Sequence, residues 1–231
     1  LSGGLNDYDW LHLHHEDFTG QYGKFYASYR NADWYQAQVR TYETQARTLG
    51  FKKVSEEKKA VVEAIRDWVA RGGFLFAMCS ATDSFDIALA ARGIDICAPE
   101  YDGDPADQEA NRKLDFSRTL AFAGFSLIMN PYQYEFSNID MTALSLGRGE
   151  ANDYFTLFEF SAKQDPVPTM LTQDHTNVVK GFLGQTTSFN RRMLKDGVLV
   201  LGEPEGAEDV RYIHGSFGRG TFTWLGGHDP E

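Results

Sequence analysis

Apolar and polar positions follow two rhythms along the chain, helical in the first half and strand-like in the second. Asp9-Trp10-Leu11-His12-Leu13-His14 predicts a strand bounded by polar residues, followed by an irregular connection from His15 to Tyr29. Tyr35, Val39, Tyr42, Ala46 and Leu49 then recur at the spacing of one helical face, with Asn31 or Asp33 as N-cap and Gly50 as the stop. A second helix carries Val61, Ala64, Ile65 and Trp68 as its apolar stripe, capped by Ser55 and closed by Gly72-Gly73.

Phe74-Leu75-Phe76-Ala77-Met78 is a continuous apolar run, the pattern of a strand covered on both faces. Ser80, Thr82 or Asp83 can cap a helix running through Phe85, Ile87, Ala88, Leu89 and Ala91 to Gly93. Ile94-Asp95-Ile96 predicts a further short strand, and the helix–strand–helix–strand order favours an α/β fold with parallel strands. Pro99 to Lys113 is acidic and turn-rich and predicts a solvated excursion. Beyond it, strands are expected near 126–129, 154–160, 169–172, 198–201, 210–214 and 221–225, the last two joined by a glycine-rich turn at 215–220. No internal repeat or linker stands out, so residues 1–231 are read as one domain.

Composition narrows the function classes. The net charge of −11 and the lack of any basic run argue against nucleic acid and against an anionic membrane surface, since both are bound through clustered cations. No apolar stretch approaches the ~20 residues of a membrane helix. Aromatic residues reach 14%, which favours sheets and deep pockets. Two cysteines are too few for a disulfide scaffold. The chain starts without Met and stops abruptly at Glu231, as expected of part of a longer precursor.

Cys79 is the leading candidate for chemistry. It lies where a buried strand meets a helix, a sharp turn that lifts a nucleophile above the sheet and requires small residues two positions away, here Ala77 and Ala81. The helix N-terminus would favour the thiolate. The alternative is a small buried hydrophobe, the commoner role of cysteine. A nucleophilic cysteine needs a base and a group to orient it. His228 and Glu231, after the last strand and the Gly226-Gly227 break, are the best supply, with a polar loop as the alternative. The cluster His12, His14, His15, Glu16, Asp17 reads first as hydrogen-bonded residues at a site rim. It could hold a metal only with help from His175 or His214. Asp102-Gly103-Asp104 lacks the ligand ladder of a calcium loop and predicts a turn. Residues 174–177 and 184–188 are polar islands between apolar strands. Cys97 is expected to be packed, and Ser2-Gly3-Gly4 lacks the strand–loop–helix context of an ATP loop.

On these segments, Tyr8-Asp9-Trp10-Leu11-His12-Leu13-His14-His15-Glu16-Asp17-Phe18-Thr19-Gly20-Gln21-Tyr22-Gly23-Lys24-Phe25, Phe76-Ala77-Met78-Cys79-Ser80-Ala81-Thr82-Asp83-Ser84-Phe85-Asp86 and Gly226-Gly227-His228-Asp229-Pro230-Glu231, nearly the whole chain resembles a family of Bacteroidetes envelope proteins that goes under the label asparagine synthetase B. The Cys79 elbow and the closing strand–Gly–Gly–His segment are similar to the class I glutamine amidotransferase-like superfamily, which includes ThuA-like proteins. Amidotransferases there carry Gly-x-Cys-x-Gly and His-Pro-Glu elements; this chain has alanines for the glycines and Asp229 between His228 and Pro230. The resemblance implies a flavodoxin-like parallel-sheet sandwich with its site at the carboxyl ends of the strands. It implies a cysteine-dependent hydrolase acting on an amide or related carbonyl, with catalytic residues Cys79, His228 and Glu231 and with Glu16 as a second orienting acid. His14, His15, Glu16, Asp83, His175 and Gln185 would bind substrate, with no metal or cofactor. A periplasmic or envelope location follows from it, with a small-molecule or envelope-derived substrate and an envelope protein as partner. The alternative is a non-catalytic binding or assembly subunit of the envelope with a vestigial pocket.

Overall fold

The computed structural model describes residues 4–157, 178–181 and 183–227. The expected strand at 169–172, the polar island at 174–177, His175, His228 and Glu231 lie outside the described residues.

The first half forms β1 (Trp10–Leu13), α1 (Tyr26–Tyr29), α2 (Asp33–Thr48), α3 (Val54–Ala70), β2 (Phe74–Met78), α4 (Ser80–Ala90), α5 (Pro99–Asp102) and α6 (Ala110–Lys113). After these come α7 (Thr142–Arg148), β3 (Tyr154–Leu157), β4 (Val178–Lys180), β5 (Phe189–Asn190), β6 (Leu199–Glu203), β7 (Asp209–Val210), β8 (Tyr212–Phe217) and β9 (Gly220–Leu225). Seven strands form one sheet in the order β1-β2-β9-β8-β6-β3-β4, and β5 pairs with β7 separately. The fold is α/β.

The sheet is mixed. β1, β2 and β9 run parallel, while β8, β6, β3 and β4 extend the sheet by antiparallel pairing. The expected all-parallel sheet therefore holds for three strands. The short Gly218 turn joins β8 to β9 as a hairpin, and a hairpin can only pair antiparallel. β2 owes its apolar run to its central place: β1 and β9 flank it, and Leu75 and Ala77 are wholly buried. The expected strand at Ile94-Asp95-Ile96 does not form. The segment runs as coil, with Ile94 and Ile96 buried. Near 126–129 only an isolated bridge forms, between Leu127 and Ser137.

α2 follows its predicted stripe with Tyr35 and Ala46 buried, but Leu49, the C-cap, is 51% exposed. α3 lays Val62, Ile65, Trp68 and Val69 on the core. α4 is buried along its entire length, polar residues included, because α3, β2 and the segment at 116–122 all pack on it. A helix covered on every side must find a partner for each polar group. Asp86 does so by accepting the N–H groups of Leu120, Ala121 and Phe122 at 2.7–2.8 Å, although burial still pushes its carboxyl up to about 6. The acidic excursion is less solvated than its composition predicts: Tyr101 and Ala110 are buried anchors.

Candidate functional site

The carboxyl ends of the three parallel strands meet at one place. β1 leads to His14 and His15, β2 to Cys79, and β9 to Gly226-Gly227. Cys79 adopts φ 55 and ψ −140, a backbone conformation that non-glycine residues rarely take. Such a conformation costs of order 1–3 kcal/mol and persists only where the surroundings enforce it. Here the Cys79 N–H donates to Leu225 O at 3.2 Å, and its carbonyl accepts the Thr82 N–H and hydroxyl at 3.1 and 2.6 Å. The strand-to-helix elbow expected at Ala77–Ala81 is present, and both alanines are wholly buried.

The thiol itself is covered. Cys79 is 3% exposed, and its Sγ donates to the carbonyl of Gln185 at 3.1 Å. Burial pushes the thiol up to about 11, against the opposing pull of the Ser80 N–H at the start of α4. At pH 7 that leaves roughly one thiolate in ten thousand. Among the described residues no histidine hydrogen-bonds Sγ.

Two loops are stitched to this elbow. Ser80 and Ser84 donate to the carbonyls of His15 and Glu16, and the Phe18 N–H donates to the Ser84 hydroxyl. His14, His15 and Glu16 are exposed. Glu16 uses its carboxylate on the His14 N–H at 2.7 Å. Burial, then neighbouring His14, push His15 down. Beyond them Asp17 accepts from Thr19 and from the Gly23 N–H, pinning a left-handed turn in which Tyr22, Gly23 and Lys24 all have positive φ. Lys24 is 2% exposed, donates to the carbonyls of Ile128 and Glu135, and is pushed down to about 8 by burial. A shallow pocket opens beside this turn, lined by His15, Asp17, Tyr22, Phe25, Tyr42 and Lys58.

The second loop is the polar island at 184–188. Gln185 is buried, and its amide donates to the carbonyls of Gly23 and Tyr134. Thr186 has φ 53 and joins two buried acids: its N–H donates to Asp140 at 3.0 Å and its hydroxyl to Asp83 at 3.0 Å. Burial raises both carboxyls, Asp140 to about 6 and Asp83 well above the usual carboxylate range; neighbouring Asp140 raises Asp83 further, and Glu135 raises Asp140. Asp83 Oδ2 has no hydrogen-bond partner among the described residues. In this state Asp83 and Gln185 brace the loop.

The structure thus brings Cys79, Asp83 and Gln185 together with the His14–Glu16 rim. Asp140, Thr186 and Lys24 complete the cluster, and sequence reasoning missed Asp140 and Lys24 altogether. An Asp two residues before a helical Thr is the local signal for Asp140; Lys24 has none. The histidines of β1 do not gather with His214, which lies on β8 with β2 and β9 in between. The described cluster with metal-ligand spacing is instead Asp95, Cys97 and Asp102, with ligand atoms within 4.8 Å of one another. Lys53 Nζ stands there, 2.5 Å from Asp95 and 3.1 Å from Asp102, and also pairs with Asp104. An ammonium already supplies the cation.

No protein-family model matches the chain, and no curated protein matches it. Solved structures similar to it include two proteins from Salmonella typhimurium. Cytoplasmic protein STM3548 from Salmonella typhimurium aligns at 12% identity and TM-score 0.40, over 98% of this chain and 63% of that one. Cytoplasmic protein STM1381 from Salmonella typhimurium LT2 aligns at 12% identity and TM-score 0.36, over 74% of this chain and 51% of that one. The chain spans between half and two thirds of the length of these proteins.

Proposed function

We propose that the chain is a flavodoxin-like domain of the class I glutamine amidotransferase-like type, acting as a cysteine-dependent hydrolase on an amide or related carbonyl in the bacterial periplasm or envelope. The observation that carries this reading is the backbone of Cys79. A residue with a side chain is held at φ 55 between a buried strand and a buried helix, at the carboxyl ends of the parallel strands.

In the reaction, the Sγ proton passes to His228 as Sγ attacks the carbonyl carbon, and the N–H groups at the start of α4 stabilise the developing oxyanion. The C–N bond breaks, the amine leaves with the proton from His228, and water cleaves the thioester to return the thiol. Glu231 or Glu16 orients His228, and the exposed His14 and His15 contact substrate at the rim. With a thiol near 11, proton removal must accompany attack, and the Gln185 carbonyl must leave Sγ first. The test is ammonia release from primary amides such as glutamine and asparagine: Cys79→Ala and His228→Ala should each abolish it.

A second reading is favoured by the sealed, protonated thiol: a non-catalytic binding or assembly subunit of the envelope that keeps the elbow as a packing feature. Absence of ammonia release from the wild type, with amide binding retained, would favour it.

A further inference from the structure

The peptide unit joining Gln185 to Thr186 does two things at once. Its carbonyl accepts from Cys79 Sγ at 3.1 Å, and its N–H donates to Asp140 Oδ2 at 3.0 Å. A trans peptide is planar, with C=O and N–H pointing in opposite directions, so the two contacts share one rigid plate. The next residue, Thr186, is β-branched yet sits at φ 53, and its hydroxyl donates to Asp83. The Thr186 carbonyl in turn accepts the Gly227 N–H at 2.9 Å, the last described residue before His228. Gly226 closes the arrangement: a Cβ there would meet Thr187 O at 2.3 Å.

We propose that Asp140 and Asp83 are positioning residues that act through Thr186 to hold the Gln185 carbonyl on the Cys79 thiol, making residues 184–188 a removable cover of the site. Letting Thr186 return to negative φ turns the plate and releases both of its contacts together. The cover deepens the reading of Cys79 as the reactive centre and rests on it for its purpose, while the contact itself stands independently of turnover.

The test is site-resolved alkylation of the full chain with iodoacetamide, read by mass spectrometry, with Cys97 as an internal control buried elsewhere. Thr186→Val removes the hydroxyl bonded to Asp83. Asp140→Asn leaves one carbonyl oxygen for two N–H donors, Thr142 and Thr186. Each should raise the Cys79 rate about tenfold, the effect of losing one buried hydrogen bond, with Cys97 unchanged. Thr186→Ser keeps the hydroxyl and should restore the wild-type rate. An unchanged Cys79 rate in both variants, or an equal rise at Cys97, overturns the proposal. Failure of ammonia release in the wild type would sink the hydrolase reading and leave this ratio untouched.

Discussion

Asp140→Asn should flatten the pH dependence of folding. The carboxyl is buried and rises from 3.8 to about 6. Burial is the main cause; Glu135 adds to it, and the Thr142 and Thr186 hydrogen bonds oppose it. Because the folded state holds this proton more tightly than the unfolded chain, stability is greatest at low pH. It is lost as pH rises through the window between 3.8 and about 6. At ~1.4 kcal/mol per pH unit, ionising Asp140 costs the fold about 3 kcal/mol by pH 7. Asn carries no charge at either end of the window. Urea unfolding at several pH values from 4 to 7 should therefore show the wild type losing about 3 kcal/mol more than the variant. Asp83 and Asp86, which burial also raises, add slope of the same sign in both proteins. Parallel curves for the two proteins, offset but equally steep, would refute the placement of Asp140 in a desolvated acid pair.

Arg211 is wholly buried and pairs with buried Asp153, with Asp209 close by and Arg148 completing the network. Arg211→Ala leaves Asp153 and Asp209 short of a countercharge and should cost about 3–5 kcal/mol in chemical denaturation. Gly226→Ala places a Cβ 2.3 Å from Thr187 O, so the loop must shift and the Cys79 alkylation rate should rise while β9 remains protected in hydrogen exchange.

The strand–elbow–helix unit was legible because each of its signals is local. Five apolar residues in a row require cover on both faces, small residues flank the cysteine, and polar residues follow where a helix must start. The mixed sheet was not legible, since the pattern within a strand does not record its neighbours. β9 reads much like β8, yet one face of the difference is a parallel pairing with β2 from residues nearly 150 positions earlier. The same limit hid the acid pair. Thr186 meets Asp140 across 46 positions and Asp83 across 103, and each segment alone reads as a polar turn or a cap. Cys79 could be picked out as the residue at the elbow, but its cover could not, because the capping atom is a backbone carbonyl and carries no residue identity.

The central claim is that Cys79 forms a covalent bond with a carbonyl carbon during turnover. Intact-mass and peptide analysis of the full chain, quenched during incubation with glutamine or asparagine, tests it most directly. An acyl adduct should form on Cys79, be absent from Cys79→Ala and appear together with released ammonia. A wild-type protein that binds amide yet shows neither adduct nor ammonia would contradict it, and would leave the elbow as architecture alone.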